Sequence, residues 1–315
     1  MSVRAVLRLG TRKSPMAMAQ SSLVAQAITE RTGRRVELTG VTTHGDVSQA
    51  QLAQIGGTGV FVSALRDRLA GGEVDLAVHS LKDLPTGRPD GIVLAAVPPR
   101  DDPRDALIAR DGAKLADLPP GATIGTGSPR RAAQILLLRK DLRCVPIRGN
   151  AGTRLGKVGA GDLDAVVLAY AGLARIGRTD AVSQLFEPED MLPAPGQGAL
   201  AVECRAGDTE LAELLAAIDD PLSRAAVTAE RTVLATLEAG CSAPVAAYAA
   251  GTAGHLHLEA AVIATDGRQV LRERGGGAPA DAERLGRELA GRLLIGGAGS
   301  LITVPIARTN NGKDA

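Results

Sequence analysis

Two stretches decide the fold. The first, Ala5-Val6-Leu7-Arg8-Leu9-Gly10-Thr11-Arg12-Lys13-Ser14-Pro15, is echoed by Ala122-Thr123-Ile124-Gly125-Thr126-Gly127-Ser128-Pro129-Arg130-Arg131. Each reads as a short apolar strand and a Gly-Thr turn. Ser then suits a helix N-cap and Pro the first helical position. After the first copy, Met16, Ala19, Leu23 and Ala27 recur at helical spacing and Gly33 supplies a stop. After the second, a helix runs through Ile135 and Leu138.

A second pair of segments appears in the same order. Gly72-Glu73-Val74-Asp75-Leu76-Ala77-Val78 is matched by Gly161-Asp162-Leu163-Asp164-Ala165-Val166-Val167. Both place a buried-type strand after an acidic turn. The prediction is an α/β protein with two similar doubly wound domains on parallel sheets. Their binding residues should lie at the strands' C-terminal ends, and the site in the cleft between the domains.

Two Pro-rich crossings read as hinges: Val97-Pro98-Pro99-Arg100-Asp101-Asp102-Pro103 and Leu192-Pro193-Ala194-Pro195-Gly196-Gln197-Gly198. The apolar run Ala199 to Cys204 is a strand able to return to the first sheet. The expected division is residues 1–98 with 198–217, then 103–193, then a smaller α+β domain over 219–306, with a loose polar tail at 307–315. The third domain should open with a helix from Pro221 to Glu238 closed by Gly240. Strands at Val245 to Tyr248, Leu256 to Ile263 and Gln269 to Arg274, and a helix from Asp281 to Leu294, should follow.

Composition narrows the function. Lys and Arg number 36 against 35 Asp and Glu, a formal charge of +1, so no global field draws the chain to nucleic acid or an acidic membrane. With two Tyr, two Phe and no Trp it has little to stack on bases. No run approaches a membrane span and Arg4 and Arg8 interrupt any signal-peptide core, so neither secretion by signal peptide nor membrane insertion is expected. Cys144, Cys204 and Cys241 are odd in number and widely spaced, which argues against disulfides and zinc and for a reducing cytoplasm. His44, His79, His255 and His257 show no convincing ligand spacing, so no metal is expected. Gly56-Gly57-Thr58-Gly59 lacks the lysine of a phosphate-binding loop.

The positive charge is instead local. Between Thr126 and Lys157, Arg130, Arg131, Arg139, Lys140, Arg143, Arg148, Arg154 and Lys157 face the single acid Asp141. Arg130 and Arg131 fall in the first turn after Ser128, where free backbone N–H groups favour an anion, and Arg forks suit carboxylates. Arg12 is the counterpart in the first copy. Ser80-Leu81-Lys82-Asp83 closes a strand, so Lys82 and Asp83 project where ligands bind. From spacing alone the pair reads as a surface ion pair. Among arginines, an ionised Asp83 could stabilise a cation formed during reaction. Cys241 sits in a turn after a helix, where the dipole disfavours a thiolate nucleophile but tolerates a covalent anchor.

Taken together these residues resemble the porphobilinogen deaminase family over nearly the whole chain. The most specific pieces are Ala77 to Pro85, Asp102-Pro103-Arg104-Asp105-Ala106, Arg148 to Leu155, Pro195-Gly196-Gln197-Gly198 and Leu237-Glu238-Ala239-Gly240-Cys241. The resemblance implies two domains like type II periplasmic binding proteins plus a third. It implies a dipyrromethane cofactor joined to Cys241 by a thioether. The implied reaction condenses four porphobilinogen units head to tail, with loss of ammonia, to hydroxymethylbilane, in a monomeric enzyme. Asp83 matches the catalytic carboxylate, which would stabilise the azafulvene left when ammonia departs. Arg12, Arg130, Arg131, Arg148, Arg154 and Arg175 match carboxylate-binding positions, assisted by Ser80, Lys82, Thr126, Ser128 and Gln197.

The chain departs from the family at Thr58, where relatives commonly have Lys, at Gly127-Ser128-Pro129, where Ser-Ser-Leu is usual, and at Ala239, commonly Gly. A non-enzymatic binder of a small organic anion would need neither Asp83 nor Cys241 in these settings, and a transferase for a phosphorylated substrate is disfavoured because the sequence shows no phosphate-binding loop, metal site or nucleotide fingerprint.

Overall fold

The computed structural model describes residues 4–41, 59–87, 89–240 and 243–302. His44, the loop Gly56-Gly57-Thr58, Cys241 and the 307–315 tail lie outside the described residues.

The first sheet contains β1 (Val6–Arg12), β2 (Arg35–Val41), β3 (Leu76–Ser80), β4 (Ile92–Ala96) and β10 (Leu200–Arg205) in the order β2-β1-β3-β10-β4. Helices α1 (Pro15–Thr32) and α2 (Gly59–Ala70) connect its first strands. The second sheet contains β5 (Asp105–Ala109), β6 (Thr123–Gly125), β7 (Arg143–Val145), β8 (Ala165–Ala169) and β9 (Gln184–Leu185), ordered β7-β6-β8-β5-β9. Its helices are α3 (Pro129–Leu138), α4 (Ala151–Gly159) and α5 (Tyr170–Arg175).

The two orders are one topology used twice. β1 pairs parallel with β2 and β3, and its counterpart β6 pairs parallel with β7 and β8. Each sheet then admits one antiparallel strand, β10 between β3 and β4, and β5 between β8 and β9. The all-parallel expectation is therefore corrected to mixed sheets. The antiparallel strands are those that directly follow the two crossings, β5 after 97–103 and β10 after 192–198, each inserted into the sheet it enters. The echo extends to hydrogen bonds. Asp75 Oδ2 accepts from the Arg8 amide at 2.9 Å and Asp164 Oδ2 from the Thr123 amide at 2.7 Å. Leu81 N donates to Ala199 O and Tyr170 N to Arg104 O, both at 3.0 Å.

Ser14 and Ser128 cap α1 and α3 through Ala17 N and Arg131 N, with Pro at the first position of each helix. Gly33 closes α1 at φ 69°. Two local readings fail. β1 does not stop at Leu9 but pairs with β2 through Arg12, because Thr11 and Arg12 find partners in Gly40 and Val41. The buried face of α1 carries Gln20, Ser21, Val24 and Ile28, whereas Leu23 is exposed.

After β10, α6 (Thr209–Leu215) packs under the first sheet. Then α7 (Pro221–Thr236) and α8 (Ala282–Ile295) pack on an antiparallel sheet of β11 (Val245–Gly251), β12 (Leu256–Ile263) and β13 (Val270–Gly277), with α9 (Ala298–Ile302) beyond. Helix α7 ends earlier than expected, and its left-handed residue is Glu238 at φ 50°, not Gly240. Ala239 N bonds to Leu234 O at 3.1 Å and Glu238 N to Ala235 O at 3.0 Å, a Schellman closure on a non-glycine residue.

Candidate active site

Strand β3 delivers Ser80 to the edge of its sheet, and a 3-10 turn at Leu81–Asp83 presents Lys82 and Asp83 beyond it. Ser80 Oγ accepts from Gln20 Nε2 at 2.8 Å. Asp83 is half-buried and makes no hydrogen bond or ion pair among the described residues. Beneath this turn, His79 and Arg66 approach the buried Glu203 on β10 at 3.3 and 2.6 Å.

The second sheet contributes through a carboxylate whose role the sequence reading left unassigned. Asp105, fully buried at the start of β5, lies 2.7 Å from Arg130 Nη1 and 2.8 Å from Arg131 Nη2. Burial alone would raise its pKa. The charges of Arg130 and Arg131, with hydrogen bonds from Arg130 and Gln197, overcome this and hold it far below the usual carboxylate range.

Arg130 also donates to Leu192 O at 2.7 Å. Both arginines stand in the first turn of α3 and turn inward there, because an acid distant in sequence meets them across the sheet. Asp141, the one acid in the sequence window, instead pairs with Arg139, which also caps Leu115, Ala116 and Leu118.

Gln197 joins the two halves. Its Nε2 donates to Pro103 O at 2.7 Å and Asp105 Oδ1 at 2.8 Å, while its Oε1 accepts from Arg131 Nη2 at 3.3 Å and Lys82 Nζ at 3.4 Å. One hinge amide thus touches the cation after β3 and the ion pair of the second sheet. Burial and repulsion by Arg131 pull Lys82 down to about 8, against the attraction of Asp83 and Asp105. Burial and Arg131 lower Arg154 as well.

Thr126 is buried and its Oγ1 accepts from Ser128 N at 3.2 Å, which shapes the turn into α3. Arg154 Nε donates to Gly149 O at 2.9 Å. Arg148 is exposed and makes no hydrogen bond or ion pair among the described residues. Arg12 ends β1, half-buried. Arg175 is engaged elsewhere: it binds Asp101 Oδ2 at 2.7 Å and Gly198 O at 2.6 Å, latching the crossings together. Gly198 must be glycine there, since a Cβ would stand 2.5 Å from Asp101 O at φ +87°.

Buried Glu230 was also passed over. It accepts from Arg100 Nη1 at 2.6 Å, Gly196 N at 2.7 Å and Ala249 N at 2.8 Å, tying both crossings to α7 and β11. A lone acid on an otherwise apolar helix face was the available signal, as was Asp105 heading an apolar strand. Cys144 and Cys204 are inert thiols, pushed up to about 11 by burial.

The donor set fits a ligand with several carboxylates. Lys82, Arg131 and Arg154 crowd one another, and each gains from an added anion. Twin α/β sheets joined by paired crossings bring a cluster of cations beside a carboxylate at one strand end. A periplasmic substrate-binding protein of an ABC transporter from Coxiella burnetii covers 69% of this chain and 94% of its own at 18% identity, with a TM-score of 0.43. Residues 7–213 match the family described as porphobilinogen deaminase, dipyromethane cofactor binding domain, and residues 224–295 match the porphobilinogen deaminase C-terminal domain. The porphobilinogen deaminase of Thermobifida fusca is 61% identical over 304 residues, 94% of this chain and 95% of that protein. Porphobilinogen deaminase 1 of Streptomyces coelicolor is 55% identical over 309 residues, 94% and 97% respectively. The chain belongs to the porphobilinogen deaminase family.

Proposed function

We propose that this chain condenses four porphobilinogen units head to tail in tetrapyrrole synthesis, releasing one ammonia for each, and that water then cleaves the bond between the tetrapyrrole and its primer, its hydroxyl ending on the product, hydroxymethylbilane. The observation that carries the reading is the unpaired Asp83 carboxylate beside Lys82 at the edge of a cation cluster. Each condensation breaks the bond between the aminomethyl carbon and nitrogen, and forms a carbon–carbon bond at a pyrrole α-carbon that then loses its proton.

Asp83 faces the positive charge that develops as the amine departs, and stabilises it through the pyrrole N–H. Lys82, Arg131 and Arg154, with Arg12 and Arg148, receive the acetate and propionate groups. Thr126 and Ser128 shape the turn that supports them, Ser80 fixes the end of β3, and Gln197 holds the two halves in register. Arg130 serves as the structural counter-ion of Asp105, and Arg175 acts on the crossings.

A dipyrromethane group, when bound, supplies the α-carbon on which the chain grows. Its anchor in this reading is the thioether to Cys241, which follows α7 in sequence. We further read the chain as a cytoplasmic monomer of three domains: 1–98 with 198–217, 103–193 and 219–306. The two family matches support a break between 213 and 224. Among the described residues no helix is long and apolar enough to cross a membrane.

Intact mass under reducing conditions, with peptide mapping of the Cys241 segment, tests the anchor. A mass excess of two linked pyrroles on that peptide is expected, either as purified or after incubation with porphobilinogen. If no adduct forms, the chain is a binding protein and the reading fails. Asp83→Ala should abolish turnover in a folded protein.

A further inference from the structure

The 3-10 turn that carries Lys82 and Asp83 is not held by its own sheet alone. Arg231, on α7 of the third domain, reaches it from 147 to 150 residues away in sequence. Its Nη1 donates to Leu84 O at 3.0 Å and Leu81 O at 3.3 Å, and its Nη2 to Pro85 O at 2.7 Å. Leu81 O also accepts from Leu84 N at 3.1 Å, the bond that closes the turn. One guanidinium therefore caps the carbonyl end of the segment bearing the proposed catalytic carboxylate.

The accepting carbonyls bracket Lys82 and Asp83, with Leu81 on one side and Leu84 and Pro85 on the other, so one contact fixes the backbone on both sides of that pair. The planar fork of arginine, with its donors in fixed directions, suits it to holding the three oxygens at once. The neighbouring residue works on the same place. Glu230 accepts from Gly196 N at 2.7 Å, and Gly196 packs so closely on the turn that a Cβ would lie 3.3 Å from Lys82 N. Consecutive residues of α7 thus grip the Asp83 turn and the hinge that packs on it, and in sequence the same helix leads to Cys241.

We propose that Arg231 is a positioning residue for Asp83, holding the 81–85 turn in the geometry that catalysis requires and linking it to the third domain. The proposal rests on the reading of Asp83 as the catalytic carboxylate.

The test uses the holoprotein and its Arg231→Met, Arg231→Lys and Asp83→Asn variants. It compares kcat, KM, Tm and intact mass. Misplacing a reacting group by a fraction of an ångström to an ångström costs about 10- to 100-fold. Arg231→Met should therefore lower kcat by about that factor, with KM within twofold and the primer mass unchanged. Arg231→Lys, which keeps the charge but not the fork, should recover part of the loss.

A role confined to stability would lower Tm and leave kcat of the folded holoprotein at the wild-type value, overturning the proposal. Should Arg231→Met fail to accumulate, Arg231→Lys decides: a several-fold lower kcat at unchanged KM supports the proposal, and wild-type kcat refutes it. Asp83→Asn separates the two levels. If it turns over normally, the Asp83 reading falls and this proposal with it. If it is inactive while Arg231→Met is normal, only the positioning role is lost.

Discussion

Replacing Asp105 with Asn removes one charge and almost no volume, so it isolates the electrostatics of the second sheet. The side chain is 0% exposed, against 3% for Arg130 and 7% for Arg131. Breaking a buried ion pair by deleting one partner costs about 3–5 kcal/mol, because the remaining charge stays desolvated. Two cations would be stranded here, but Arg130 keeps Leu192 O and Arg131 keeps Val167 O and Gln197, which places the expectation near the lower bound.

With a slope of about 2 kcal/mol per molar in urea, a loss of about 3 kcal/mol lowers the unfolding midpoint by about 1.5 M. The control is Asp141→Asn. Asp141 also lies 2.7 Å from an arginine, Arg139, yet the two side chains are 42% and 22% exposed, so solvent screens the pair and its loss should move the midpoint little. Equal distances with unequal burial make the pair diagnostic. Equal midpoint shifts for the two variants, or no shift for Asp105→Asn, would refute the view that Asp105 is the resident counter-ion of the cluster. Since folding holds Asp105 below its unfolded value, its stabilisation is full above about pH 4 and is lost as pH falls below that. The variant should lack that part of the acid transition.

Three further outcomes are expected. Although burial opposes it, His79 and Arg66 hold Glu203 at about 2 against 4.5, which corresponds to roughly 3 kcal/mol that is present above pH 4.5 and lost as pH falls towards 2. Acid unfolding of Glu203→Gln should be correspondingly flatter over that window, and an unchanged acid limb counts against the buried triad. Lys82, held at about 8, should take up a proton when carboxylates bind, so calorimetric binding of porphobilinogen between about pH 8 and 9 should depend on buffer ionisation enthalpy, and Lys82→Met should lose that dependence. Buffer-independent heats in the unmodified protein would contradict the crowding of cations. Glu238→Gly relieves a left-handed non-glycine residue that is exposed, and should raise stability by about 1 kcal/mol with a matching rise in Tm. A lowered Tm would mean that the glutamate side chain stabilises the closure.

What the sequence shows and hides follows from the range of the interactions involved. Ser14-Pro15 and Ser128-Pro129 were legible because a cap acts over three residues, and both form as read. The duplication was legible because each Gly-acid-strand segment is self-contained. The carbonyl grip of Arg231 and the four contacts of Gln197 join positions more than 60 residues apart, and no local window contains both ends.

The local charge count missed one acid for the same reason. Eight cations share the Thr126–Lys157 window with Asp141 alone, but Asp105, on β5, lies outside that window and pairs with Arg130 and Arg131, the two cations in the first turn of α3. That strand has its counterpart in β10, which returns to the first sheet, and at the position matching Asp105 it carries Leu200: Asp105 pairs with Ala169 at the end of β8, and Leu200 with Ser80 at the end of β3. The duplicated fold therefore keeps its backbone plan and divides the chemistry. One copy received the internal carboxylate that organises the arginines. The other kept an apolar residue there and placed its carboxylate three residues past the strand, at Asp83, which pairs with no arginine among the described residues.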